Sequence, residues 1–95
     1  MVTNFDSKIS IAPDVLIRQV GDESVLLDLK AERYLGLDES GTRIWQVLLE
    51  SDSVEAAYDT LLQEFDVDAE QLRNDLGAFV QELADLGLVQ VGASA

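Results

Sequence analysis

Nineteen carboxylates are the residues of this 95-residue chain with the most capacity for chemistry. Several come close together: Asp22 with Glu23, Glu64 with Asp66, Asp68 with Glu70. Paired carboxylates can share a proton as general acid and base, or hold a divalent cation through oxygen. None of these pairs lies in a glycine-centred twelve-residue calcium loop, and in so acidic a chain ligand-like spacings arise by chance. Histidine and cysteine are absent. With them go the commonest general base, the ordinary catalytic triads, thiolate metal sites and disulfides. The carboxylates read as solvated faces, and the chain reads as one with no catalytic residues, metal or cofactor.

One hydroxyl merits separate treatment. Ser53, in Asp52-Ser53-Val54, resembles the phosphopantetheine attachment serine of acyl carrier proteins, which are also small, acidic and helical. That chemistry needs an exposed serine at a helix start. Asp52 and Ser53 can equally be plain helix caps, with Asp52 and Glu55 forming a capping-box-like pair. Strands precede this serine, whereas a carrier domain would be helical before it. The cap is the better reading.

Charge narrows the choice of partner. The formal net charge is −13. Residues 1–45 hold Lys8, Arg18, Lys30, Arg33 and Arg43 against eight acids, whereas residues 46–95 hold Arg73 against eleven, a net of −10. Such a surface repels nucleic acid and anionic lipid, both of which are bound through Lys and Arg. A neutral or basic polypeptide is the electrostatically sensible partner. The first twenty residues contain no basic start followed by an apolar block and no run able to span a bilayer, which reads as a cytoplasmic protein.

The elements that must position any site follow from periodicity. Residues 15–20, 24–29 and 33–37 are short apolar, β-branched runs separated by turn-forming residues, an antiparallel meander of three strands. Pro13 suits an extended entry to the first. Asp38 caps a helix bearing Gly41, Ile44, Trp45, Leu48 and Leu49 on one face. Val54, Ala57, Tyr58, Leu61, Leu62 and Phe65 keep helical spacing in a second helix. A third starts near Asp68, presents Leu72, Leu76, Phe79, Val80, Leu83 and Leu86, and is capped by Gly87. Residues 88–91 then close the domain. With 47% hydrophobic residues and no repeat or linker, residues 1–95 form one α+β domain with its core in about 13–91.

In such a meander the strand 33–37 lies at an edge. Open edges are normally guarded by charge, proline or a bulge. The stretch Tyr34-Leu35-Gly36-Leu37 has none of these, and its glycine leaves room for a guest backbone or side chain. A bare edge beside a helix is the geometry of peptide binding by strand addition. The alternative is that Gly36 merely fits under Trp45 and another segment covers the edge.

Taken in order, Leu26-Leu27, Tyr34, Gly36-Leu37, Asp38, Gly41, Ile44-Trp45, Asp75 and Gly87-Leu88 resemble the pattern of the PqqD-like family, the recognition elements of ribosomally made, post-translationally modified peptides. The resemblance covers about residues 13 to 91. It implies a winged-helix-like fold of three strands followed by three helices, without catalysis. It further implies that the leader segment of a precursor peptide adds as a strand to Tyr34, Leu35, Gly36 and Leu37. Leu72, Asp75, Leu76 and Phe79 of the last helix would form the facing wall, although the three apolar ones could equally be core. Quinone-pathway members carry Leu-Leu-x-Pro-Glu in the second strand, where this chain has Leu26-Leu27-Asp28-Leu29-Lys30. The stretch YLGLDESGTRIW looks more like the lasso-peptide type. The implied partners are then a leader peptide, a leader peptidase and a cyclase. The alternatives are a chaperone of the pyrroloquinoline quinone precursor working with a radical-SAM enzyme, an acyl-carrier-like domain, or a general protein–protein adaptor.

Overall fold

Residues 5–93 are described by the structure, a computed structural model. The expected meander is present as β2 (Val15–Val20), β3 (Glu23–Asp28) and β4 (Arg33–Leu37), in the order β2-β3-β4. Its register follows from its turns. Gly21, at φ 64°, supplies the left-handed first position of the two-residue loop that sets Val20 opposite Glu23. At the next loop one carboxylate oxygen of Asp28 accepts from the backbone N–H of Lys30 and of Ala31, both at 3.1 Å. Glu32 then takes φ 58° before Arg33 pairs with Asp28. Pro13 differs from expectation: it lies in a turn closed by Val15 N–H donating to the Ala12 carbonyl at 3.2 Å, where its fixed φ favours the bend over an extended entry.

Two further strands frame the domain. β1 (Ser7–Ile11) pairs antiparallel with β5 (Val89–Ala93), joining the two ends of the chain in a separate ribbon. Periodicity marks neither as a strand, and assigns residues 88–91 only to closing the domain. SKISI carries too short an alternation to declare a strand by itself, and its partner lies about eighty residues away in sequence. The α+β reading otherwise holds: the three-stranded antiparallel sheet precedes three helices, an order compatible with a winged-helix arrangement.

Helices α1 (Glu39–Glu50), α2 (Val54–Glu64) and α3 (Ala69–Asp85) begin at side-chain caps. Asp38 accepts from Gly41 N–H at 2.7 Å, and Asp68 from Gln71 N–H at 3.0 Å. For α2 the cap is Ser53, which accepts from Ala56 N–H at 3.1 Å, and not the Asp52–Glu55 pair. Glu55 turns instead toward Arg73. Gly87, at φ 73°, ends α3 and lets Leu88 N–H reach the Leu83 carbonyl at 3.0 Å. The core lies between the inner face of the sheet, represented by Leu26 and Leu37, and the stripes Trp45-Leu48, Val54-Leu61 and Leu72-Leu76-Val80-Leu83. Among the described residues no helix is long and apolar enough to cross a membrane.

Candidate functional site

The alternation of β4 decides what its edge offers. Leu37 is buried and Leu35 half-buried on the core side, so Tyr34 and Gly36 fall on the outer face. On one side the strand pairs with β3, Leu26 opposite Leu35 and Val25 opposite Gly36. Along its other side no strand pairs with it among the described residues. Asp38 follows immediately, so the residue that ends the bare strand also caps α1 and locks the helix to it.

Gly36 is not a packing glycine. A β-carbon placed there would meet nothing within 4 Å, so it does not sit under Trp45. Beside it is a shallow hollow of about 400 Å³, lined by Val20, Val25, Gly36, Leu37 and Asp38 among others. Tyr34 is 75% exposed. It completes a row across the outer sheet face, because Leu16 pairs with Leu27 and Leu27 with Tyr34.

The helical wall divides in two. Helix α1 packs against β4, whereas α3 packs on α2 and β5. Leu72 and Leu76 are 5% and 1% exposed and belong to the core. Phe79 is half-buried against that core. Asp75 is exposed and accepts from Gln71 Nε2 at 2.8 Å. Of the four expected helix residues, Asp75 and Phe79 are therefore the ones that present substantial surface to a guest.

The electrostatics leave α3 acidic. Arg73 spans to Glu55 of α2 through two hydrogen bonds of 3.0 Å, with its guanidinium 4.1 Å from the Phe5 ring centre and 5.2 Å from that of Tyr58. Arg43 likewise pairs with Glu64. The hydrogen bond from each arginine holds its glutamate below the ordinary carboxylate range and raises the arginine in turn. Glu70, Asp75, Glu82 and Asp85 remain exposed along α3. Among the described residues no three acids converge on a point that would hold a metal ion. The Ser53 hydroxyl is engaged as the α2 cap, and the residue is only partly exposed.

Two features escaped periodicity. The indole N–H of Trp45 is buried without an acceptor, the one such side-chain atom among the described residues. Lys8 of β1 reaches the end of α1, donating to the carbonyls of Leu49, at 3.0 Å, and Ser51. The apolar stripe foretells where Trp45 is buried and says nothing of its N–H. The Lys8 contact spans more than forty residues, so no local signal marks it.

Comparison with known proteins gives a consistent picture. The family model described as coenzyme PQQ synthesis protein D (PqqD) matches residues 23–89. The solved structure of TbiB1 in complex with the TbiA(beta) leader peptide superposes with a TM-score of 0.78 at 36% identity, covering 85% of this chain and 94% of that one. A lasso peptide synthetase B1 complexed with the leader peptide gives a TM-score of 0.78 at 25% identity, covering 87% and 98% respectively. No curated protein matches the sequence.

Proposed function

Because the chain belongs to the PqqD family, we propose that it binds the leader segment of a ribosomally made precursor peptide and delivers it to modifying enzymes in lasso-peptide biosynthesis. The observation that carries this reading is the unguarded edge of β4, in a fold shared with two proteins solved with leader peptides on them. The leader adds antiparallel or parallel to Tyr34, Leu35, Gly36 and Leu37. Its side chains meet Asp75 and Phe79, with Leu72 and Leu76 behind them. In this reading Asp75 receives a basic or hydroxyl group of the leader.

The role is binding without bond chemistry. Holding a disordered leader beside its enzyme raises effective concentration, which replaces a bimolecular encounter by a nearly intramolecular one. A strand of five or six residues makes several backbone hydrogen bonds, each contributing about 0.5–1.5 kcal/mol net. One or two apolar anchors add roughly 1.5–3 kcal/mol each. After ordering of the leader is subtracted, a dissociation constant of about 0.1–10 µM is expected. The downstream partners in this reading are a leader peptidase and a cyclase, acting in the cytoplasm, and residues 1–95 act as one recognition domain.

Fluorescence anisotropy of two labelled leaders, one of lasso type and one of quinone type, tests the assignment. Saturable binding of the lasso leader alone supports the reading. Preference for the quinone leader moves the protein to the other pathway.

A further inference from the structure

Among the described residues the three-stranded sheet has two edges with no strand paired to them, and the leader reading uses one. The other belongs to β2, whose residues from Leu16 to Val20 are all exposed. Leu16, Ile17 and Val20 are large apolar side chains there, with Val20 76% exposed, and Arg18 is the single charge on the strand. An apolar, β-branched edge with one guard residue is prone to pair with another chain.

Beside this edge runs a groove against α1. One part, of about 260 Å³, is lined by Ile17, Gln19, Trp45, Gln46 and Leu49 among others. It continues into a part of about 310 Å³ that shares Gln19, Thr42 and Gln46 and ends at Asp22 and Glu39. Ile17 and Gln19 lie on the same strand face as the buried Val15, so the groove follows the inner margin of the sheet. Trp45 lines it and is 2% exposed, with its indole N–H lacking an acceptor. A buried donor without a partner is uncommon in folded proteins, and it lies on the residue that forms part of the groove wall.

We propose that the β2 edge and α1 form a second docking groove, which takes an extended basic segment of a partner protein by strand addition. The choice of occupant rests on charge. Asp22 and Glu39 stand at one end of the groove and Glu50 at the other, while the Arg43 guanidinium is already committed to Glu64. A second copy of this chain would bring another −13 to the same place. An extended basic segment can lay its aliphatic side chains against the Ile17–Leu49 lining while lysines near its ends reach the carboxylates at either end of the groove. This site goes beyond leader binding and does not depend on it. With both edges engaged, the sheet would hold leader and partner on opposite sides.

The single tryptophan makes the test direct, since the ¹⁵N-labelled protein gives one indole N–H signal. The probe is a synthetic Lys-Val-Lys-Ile-Lys-Val peptide with blocked ends, compared with its glutamate-for-lysine counterpart. Saturable movement of the indole signal and the amides of residues 16–20 is expected with the basic peptide. Binding at least 10-fold weaker is expected for the acidic one. Ile17→Lys, at an exposed position, should abolish these shifts. Gln46→Trp, which obstructs the groove from the helix side, is the second variant should the first fail to fold. No movement at millimolar basic peptide, or movement confined to residues 33–37, overturns the proposal. So do β2 shifts that depend on protein concentration alone, which would mark self-pairing. A leader titration on the same sample reads residues 33–37 separately, so either reading can fail while the other stands.

Discussion

The hydroxyls of Ser24 and Thr42 meet 2.7 Å apart, both buried, where β3 passes beneath α1. Ser24 pairs in the sheet with Leu37, and Thr42 donates its backbone N–H to the Asp38 carbonyl at 2.8 Å. This one polar contact therefore ties the middle strand to the helix that follows β4. Thr42→Val should leave the Ser24 hydroxyl buried and unpartnered, at a cost of about 1–3 kcal/mol. In a domain of this size that lowers Tm by roughly 4–8 °C per kcal/mol, measured by calorimetry. Adding Ser24→Ala should cost less than the two single changes together, because the stranded hydroxyl is then gone.

Gly36→Val should reduce leader affinity by about tenfold, equivalent to about 1.4 kcal/mol, with little change in Tm. A β-carbon at this position meets no neighbour within 4 Å, so the fold should be spared while the hollow beside β4 is partly filled. Anisotropy titration beside a thermal melt separates the two effects. Unchanged affinity would remove Gly36 from the site.

On α3, Phe79→Ala and Asp75→Asn are the informative changes and Glu82→Gln the control. Phe79→Ala should weaken leader binding by roughly 1–2 kcal/mol of lost apolar contact. Asp75→Asn should weaken basic leaders more than neutral ones, and increasingly so at low salt. Glu82→Gln should leave affinity as it is. A charge at Leu76, as in Leu76→Asp, is expected to unfold the domain at a cost of at least about 4 kcal/mol, since that side chain is 1% exposed.

Acid should remove what the Arg73–Glu55 and Arg43–Glu64 pairs contribute. Both glutamates are held below their ordinary value of 4.5. A depressed folded-state value means that the contribution is complete above the unfolded pKa and is lost as pH falls through the folded one. Both pairs are exposed, so the effect is small. The stability difference between the parent chain and the double variant Glu55→Gln, Glu64→Gln should thus be present at pH 7 and shrink at an acidic pH well below 4.5. Urea melts at the two pH values measure it.

Lys8→Met should destabilise the fold by about 1–2 kcal/mol in urea melts, more than an average surface change. The last turn of α1 has no basic residue of its own, and the ammonium donated from β1 meets the carbonyls of Leu49 and Ser51 at the negative end of that helix.

Local chemistry was enough to place most of the elements. Alternation in 15–20 and 33–37, the carboxylates of Asp38 and Asp68, and Gly87 after a leucine-rich stripe each act within a few residues. Their consequences are therefore visible in a linear string. The bare edge of β4 was legible for the same reason, because the absence of charge, proline and bulge in Tyr34-Leu35-Gly36-Leu37 is itself a local property. What only the tertiary structure decided depends on residues distant in sequence. β1 becomes a strand because β5 lies beside it, and Lys8 finds an α1 carbonyl forty-one positions away. Leu72 and Leu76 share a stripe with Phe79, and periodicity cannot distinguish the core positions from the one left half-open. That distinction is made by what packs opposite: α2 and β5 cover α3, while α1 packs on β4. Periodicity tells which face of a helix is apolar, and only the assembled layers decide how much of that face remains for a guest.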